Sequence, residues 1–233
     1  MLVLARPLGK RRLERLHSTA MGSTRRRRSA GTRLVGVISD THGLLRPEAL
    51  AALEGVDAIV HAGDIGSAGI LDALRCIAPV VAVRGNNDRD AWAASLPEIA
   101  KTEIGATRIW VVHDLGGLWA RLGRRGPSPA TACGAHDHAL GKDPALAGVA
   151  VVISGHSHRP RVERREGLLF LNPGSAGPRR FSLPIAIARL HLGPTGARAE
   201  IVELAVAGSV RRSPARRRSG LDGARGPGAV SVR

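Results

Sequence analysis

Five short apolar runs in this chain break off at residues able to hold a metal ion, and no other feature limits its fold as tightly. Leu34 to Ile38 leads to Asp40 and His42, and 57–62 leads to Gly63-Asp64. The run 79–84 ends in Gly85-Asn86, 103–112 in His113, and 149–153 in Gly155-His156-Ser157-His158. The runs are short and rich in β-branched residues, which predicts buried strands with these side chains in the loops that follow. Alternate residues of an extended backbone face the same way, so Asp40 and His42 can point at one ion. One such junction alone reads as a turn or a helix cap. Five in succession predict a shared site.

Between the first runs lie helical patterns over 47–53, opened by Pro47, and over 68–77. Strands alternating with helices imply βαβ units and parallel pairing, with ligand loops gathered at the strands' C-terminal edge. Further on, 103–113 predicts a hairpin turning at Gly105. Residues 116–147 are less regular, with a helical pattern near 130–140. Strands over 161–165 and 168–171 pair around Glu166-Gly167, Asn172 to Ser175 forms a turn, and 184–192 with 197–205 makes a last antiparallel pair.

The formal charge of +16 suggests a nucleic-acid protein until it is located. Residues 1–33 carry ten Lys/Arg against Glu14, and 207–233 carry seven Arg against Asp222, leaving +1 for 34–206. The expected organisation is a basic, disordered extension over 1–33, one domain over 34–206, and a disordered Arg/Gly/Pro-rich tail over 207–233. Met21 stands as an alternative start. Nucleic acid is expected to bind only weakly and nonspecifically, through those tails. No apolar run reaches the roughly 18–20 residues of a membrane span, and the N-terminus lacks a secretory signal. Cys76 and Cys133 read as free thiols in a reducing compartment, so the expected location is the cytoplasm.

Mixed oxygen and nitrogen donors suit Mn2+, with Fe, Zn2+ and Ni2+ as alternatives, better than Mg2+. Seven donors (Asp40, His42, Asp64, Asn86, His113, His156 and His158) exceed what one tetrahedral ion can use. Two divalent ions sharing a carboxylate is the economical reading.

The series Asp40-Thr41-His42, Gly63-Asp64, Gly85-Asn86-Asn87-Asp88, His113 and Gly155-His156-Ser157-His158 resembles the calcineurin-like metallophosphoesterase superfamily. The short chain and the Asn172–Ser175 turn resemble its small bacterial and archaeal phosphodiesterase branch, over roughly residues 34–206. The resemblance implies a four-layer α/β/β/α sandwich of two mixed β-sheets flanked by helices. It implies a first ion on Asp40, His42 and His158, a second on Asn86, His113 and His156, and Asp64 bridging them. The ions would lie about 3.5–4 Å apart, with a hydroxide between them attacking a small phosphate ester. The catalytic group would be Asp64, Asn86, Asp88 and His156. Two departures stand out. Many members carry His and Glu after the Gly-Asn, where this chain has Asn87 and Asp88, so a histidine acid is absent and easily departing leaving groups are favoured. Asp88 is expected to orient Asn86 or His156, or to donate a proton. His113 is followed by Asp114-Leu115 where relatives often show Gly-His, which leaves Asp114 at most a supporting role.

Other residues read more simply. His61, inside the second strand, is expected in the core. His136 and His138 read as surface residues, and His17 and His191 have no evident partners. Arg84 and Arg89 flank the Gly-Asn loop as phosphate contacts or solvated side chains, and the three tryptophans read as packing. Two rival functions remain: a non-catalytic interaction scaffold of the same fold, and a nucleic-acid-associated protein. The substrate and any homo-oligomerisation stay open.

Overall fold

The apolar strands sort their side chains between two cores, and this sorting builds the layers. The computed structural model describes residues 31–121 and 146–206. In β1 (Arg33–Ile38), Val35 and Val37 enter one buried cluster while Leu34 and Ile38 enter another. In β2 (Ala58–His61), Val60 and Ile59 divide the same way. Period-two alternation with both faces covered yields near-continuous apolar runs. The outer cluster is closed by α1 (Pro47–Ala52) and α2 (Ala68–Arg75), the latter burying Ile70, Leu71 and Leu74.

A second sheet repeats the logic. In β5 (Thr107–Val112), Ile109 and Val111 join the central core with Val35 and Val37, whereas Trp110 and Val112 face outward onto a third cluster. The strands β6 (Val149–Ile153) and β8 (Leu168–Asn172) alternate likewise. That third cluster is covered by Leu118 and Trp119 of α3 (Leu115–Arg121). The layers therefore run helix, sheet, sheet, helix, the expected α/β/β/α sandwich.

With β3 (Val80–Ala82), β4 (Ile99–Ile104), β7 (Arg161–Arg165), β9 (Ala186–Gly193) and β10 (Gly196–Glu203), the sheets have orders β10-β9-β1-β2-β3 and β4-β5-β6-β8-β7. Parallel pairing joins β1 to β2, β2 to β3, β5 to β6 and β6 to β8, and the remaining pairs are antiparallel. Both sheets are mixed. The C-terminal ends of β1, β2, β3, β5 and β6 each lead into one of the five ligand-bearing junctions.

Several expectations shift. The first hairpin strand starts at Ile99, not Glu103, because Lys101 and Glu103 point to solvent on a half-buried strand. The helix α3 replaces an irregular stretch. His191 does have a partner, Glu200 Oε1 at 3.3 Å across the last hairpin. Trp110 and Trp119 are buried, as expected for packing, and Cys76 is an exposed free thiol. His17, Cys133, His136, His138, the helical pattern near 130–140 and the 207–233 tail lie outside the described residues, as does nearly all of 1–33. Among the described residues no helix is long and apolar enough to cross a membrane.

Candidate metal centre

Backbone conformation marks the site before any side chain is considered. Seven non-glycine residues have positive φ among the described residues, and five of them are Asp40, His42, Asp64, His156 and His158. The left-handed region costs L-residues on the order of 1 kcal/mol or more, and such outliers concentrate at functional loops. Here the sharp reversals let the strand ends turn their donors inward. Close contact between the loops requires missing side chains: a Cβ on Gly155 would lie 2.0 Å from Ser39 Oγ, and one on Gly85 2.1 Å from Asp64 Oδ1.

Around Asp40 the donors converge without enough protons. Asp40 is fully buried. Its Oδ2 accepts from Ser39 Oγ at 2.6 Å and from the His156 amide at 3.1 Å. Its Oδ1 is buried with no hydrogen-bond partner. That orphan oxygen lies 3.2 Å from His158 Nε2 and 3.9 Å from His42 Nε2, and the two Nε2 atoms are 3.3 Å apart. The rings of His42 and His158 stack, with centroids 5.2 Å apart. An unpaired buried carboxylate oxygen is costly. A cation between these three atoms removes that cost, so the residues fit a metal.

Beside it stands a second group. His113 Nδ1 lies 2.8 Å from the Ala62 carbonyl oxygen, which can only accept, so Nδ1 carries a proton. The other nitrogen, Nε2, faces Asn86 Oδ1 at 3.0 Å and Asp64 Oδ2 at 3.4 Å. Asn86 Oδ1 is also 3.0 Å from His156 Nδ1. A histidine whose Nδ1–H is fixed by a carbonyl is poised to ligate through Nε2. Asp64 Oδ2 lies 3.8 Å from His42 Nε2, so this carboxylate stands between the two groups. Burial opposes ionisation of Asp64, but hydrogen bonding from His113 and Asn87 outweighs it and holds the carboxyl well below the usual carboxylate range. For His113 burial again opposes the charge, and the Asp64 contact wins, raising its pKa. Burial dominates at His42 and lowers its pKa despite Asp64 and Asp40.

Asn87 lies outside the seven sequence-predicted donors, yet its backbone N–H and side-chain Nδ2 donate to both oxygens of Asp64, at 2.8 and 2.6 Å. An asparagine after another asparagine carries no sequence signal for that role. Asp88 differs from expectation. Its carboxylate touches neither the Asn86 nor the His156 side chain, accepting instead the backbone N–H groups of Ile65, Gly66 and Gly85. It ties the loop after β2 to the loop after β3. Asp114 Oδ1 accepts from the Gly116 amide and caps the start of α3. Arg84 pairs with Glu98 at 2.8 Å, and Arg89 Nε donates to the Asn86 carbonyl oxygen. Behind the Gly155–His158 loop, Asn172 Nδ2 donates to the Gly155 carbonyl, and Ser175 Oγ donates to the Asp40 carbonyl.

His61 sits in the core beneath the site, as expected. Thr41 Oγ1 donates its one proton to the Ile65 carbonyl, so His61 Nε2 is the donor to Thr41 Oγ1 at 3.0 Å, while Nδ1 accepts from the Gly63 amide. Both nitrogens are used by a neutral ring, and burial lowers its pKa to about 4. In the unfolded chain the ring protonates at its ordinary value, so its contribution to stability is complete above about pH 6.5 and declines as the pH falls toward 4. Between pH 7 and 4.5 wild type should lose roughly 2–3 kcal/mol more unfolding free energy than His61→Gln. Urea titrations at the two pH values check this, and equal losses would contradict it.

Residues 34–194 match the family model of the calcineurin-like phosphoesterase superfamily domain. A probable metallophosphoesterase of Methanocaldococcus jannaschii is 39% identical over 150 residues, which make up 62% of this chain and 69% of that protein. Among solved structures, a conserved Streptococcus pneumoniae protein described as a predicted phosphoesterase is 25% identical with a TM-score of 0.53, covering 74% of this chain and 90% of that one. Vacuolar protein sorting 29 of Cryptosporidium parvum has a TM-score of 0.55 at 20% identity, covering 74% and 98% of the two chains. The latter is a likeness of fold alone.

Proposed function

Because the chain belongs to the calcineurin-like phosphoesterase superfamily, we propose that it is a phosphodiesterase dependent on two divalent metal ions, Mn2+ being the favoured one. The observation that carries this reading is the unpaired, buried Asp40 Oδ1 facing two imidazole nitrogens. Asp40, His42 and His158 would hold one ion and Asn86, His113 and His156 the other, with Asp64 shared. Such ions supply a Lewis acid for the phosphoryl oxygens and a water that ionises near neutral pH.

The chain's own groups prepare that chemistry. The Ala62 carbonyl fixes the His113 tautomer, and Ser39 with the His156 amide aims Asp40. Asn87 holds Asp64 ionised and oriented. Asp88 acts as a brace rather than a proton donor, since three amides occupy its carboxylate. Asn86 and His156 are exposed at the mouth, where substrate would enter. With an amide at Asn87, no imidazole there protonates a departing alkoxide, so aryl esters should far outrun alkyl esters.

Purified protein with Mn2+ should hydrolyse bis(p-nitrophenyl) phosphate, lose that activity to a chelator, and regain it on adding Mn2+. A protein that binds Mn2+ by calorimetry yet turns over no diester, monoester or nucleotide would be a scaffold instead.

A further inference from the structure

The loop that follows the Asn172–Ser175 turn reaches the site from one side, and its tip has no evident structural task. Gly177 is pressed against the ligand loop: a Cβ there would lie 2.3 Å from the Thr41 carbonyl oxygen and 2.5 Å from that of Asp40. Arg46 holds it in place, donating from Nε and Nη2 to the Gly177 carbonyl oxygen, each at 3.2 Å. Beyond this anchor the chain turns tightly, with Leu183 N–H bonded to the Arg180 carbonyl and Arg179 Nη1 to the Leu183 carbonyl. The turn forces Phe181 into the left-handed region at φ 53° and leaves it 90% exposed. A bulky residue with positive φ is a genuine outlier, and an aromatic ring turned into water gains nothing from the fold.

Arg180, next to it, is exposed and has no carboxylate partner among the described residues. Arg46, Arg84, Arg89 and Arg179 are occupied by Gly177, Glu98, Asn86 and Leu183 respectively. An unpaired guanidinium three residues from Gly177, whose backbone packs on the Asp40–Thr41 loop, suits a phosphate oxygen, and an exposed phenyl ring one residue on suits a flat heterocycle.

We propose that Arg180 and Phe181 select the substrate, the guanidinium meeting the phosphate and the phenyl ring stacking on the base of a nucleoside phosphodiester. This rests on the phosphodiesterase reading above. The test compares the trifluoroethyl ester of thymidine 5'-phosphate with its abasic counterpart, which lacks only the base, by following trifluoroethanol release with fluorine NMR in the Mn2+-loaded protein. Wild type should favour the thymidine ester about tenfold in kcat/KM, through KM. Phe181→Ala should bring that ratio near one, Phe181→Tyr should keep it, and Arg180→Gln should raise KM for both esters about tenfold. A wild-type ratio near one, a ratio that survives Phe181→Ala, or an unchanged KM in Arg180→Gln would overturn the assignment while leaving the phosphodiesterase reading intact. Hydrolysis of bis(p-nitrophenyl) phosphate but of neither ester would overturn the assignment alone, and hydrolysis of none of the three would overturn the phosphodiesterase reading with it.

Discussion

Asp64→Ala is expected to lower kcat on bis(p-nitrophenyl) phosphate by roughly a thousandfold or more, with the fold intact by circular dichroism. Asp64 lies between both donor groups, 3.4 Å from His113 Nε2 and 3.8 Å from His42 Nε2. Its loss removes a charge from each side at once, and several kcal/mol of transition-state stabilisation correspond to rate factors of that size. Asp64→Asn keeps the shape and removes only the charge, so it should fall almost as far. Metal content measured on the same samples separates lost binding from lost chemistry. His158→Ala should behave similarly, because it removes a neighbour of the orphan Asp40 Oδ1. Turnover that survives both Asp64→Ala and His158→Ala would refute the site.

Gly85→Ala should destabilise the protein by about 3 kcal/mol and reduce activity with it. A methyl group there would lie 2.1 Å from Asp64 Oδ1 and 2.2 Å from the Asp64 amide nitrogen. The obstructing atoms include backbone braced by Asp88 and carboxylate held by Asn87, so relief by a side-chain rotation is closed. Overpacking of this kind costs typically 1–3 kcal/mol, and displacement of Asp64 adds to it. Gly69 provides the contrast. It lies in α2 with no positive φ and nothing within 4 Å of an added Cβ. Gly69→Ala should raise stability by up to about 1 kcal/mol through helix propensity alone. Thermal or urea unfolding of the two variants reads both signs, and similar effects from the two would contradict the packing argument.

What could be read in advance depended on local signals. Strands β1, β2, β6 and β8 were legible because burial on both faces leaves an uninterrupted apolar run. The hairpin at Glu166-Gly167 was legible because both residues adopt positive φ, which favours glycine at a tight turn. By contrast, α3 carries Gly116 and Gly117, poor helix formers, in its first turn, and exists because Asp114 caps it and Leu118 and Trp119 bury against β5 and β8. Tertiary burial overrode propensity there.

The candidate site divides along the same line. Which residues could donate to a metal, and in what order along the chain, is written in the strand-end motifs, since a side chain's chemistry is a local property. That Asn87 clamps Asp64, that Asp88 braces two loops, and that Asp40 keeps one oxygen unpaired are relations between residues such as Asp64 and Asn87, 23 positions apart in sequence. Those relations exist only once parallel pairing of β1, β2 and β3 sets the loops side by side. The left-handed turn at each ligand belongs there too, because an Asp or His in isolation avoids that conformation and surrounding contacts alone hold it.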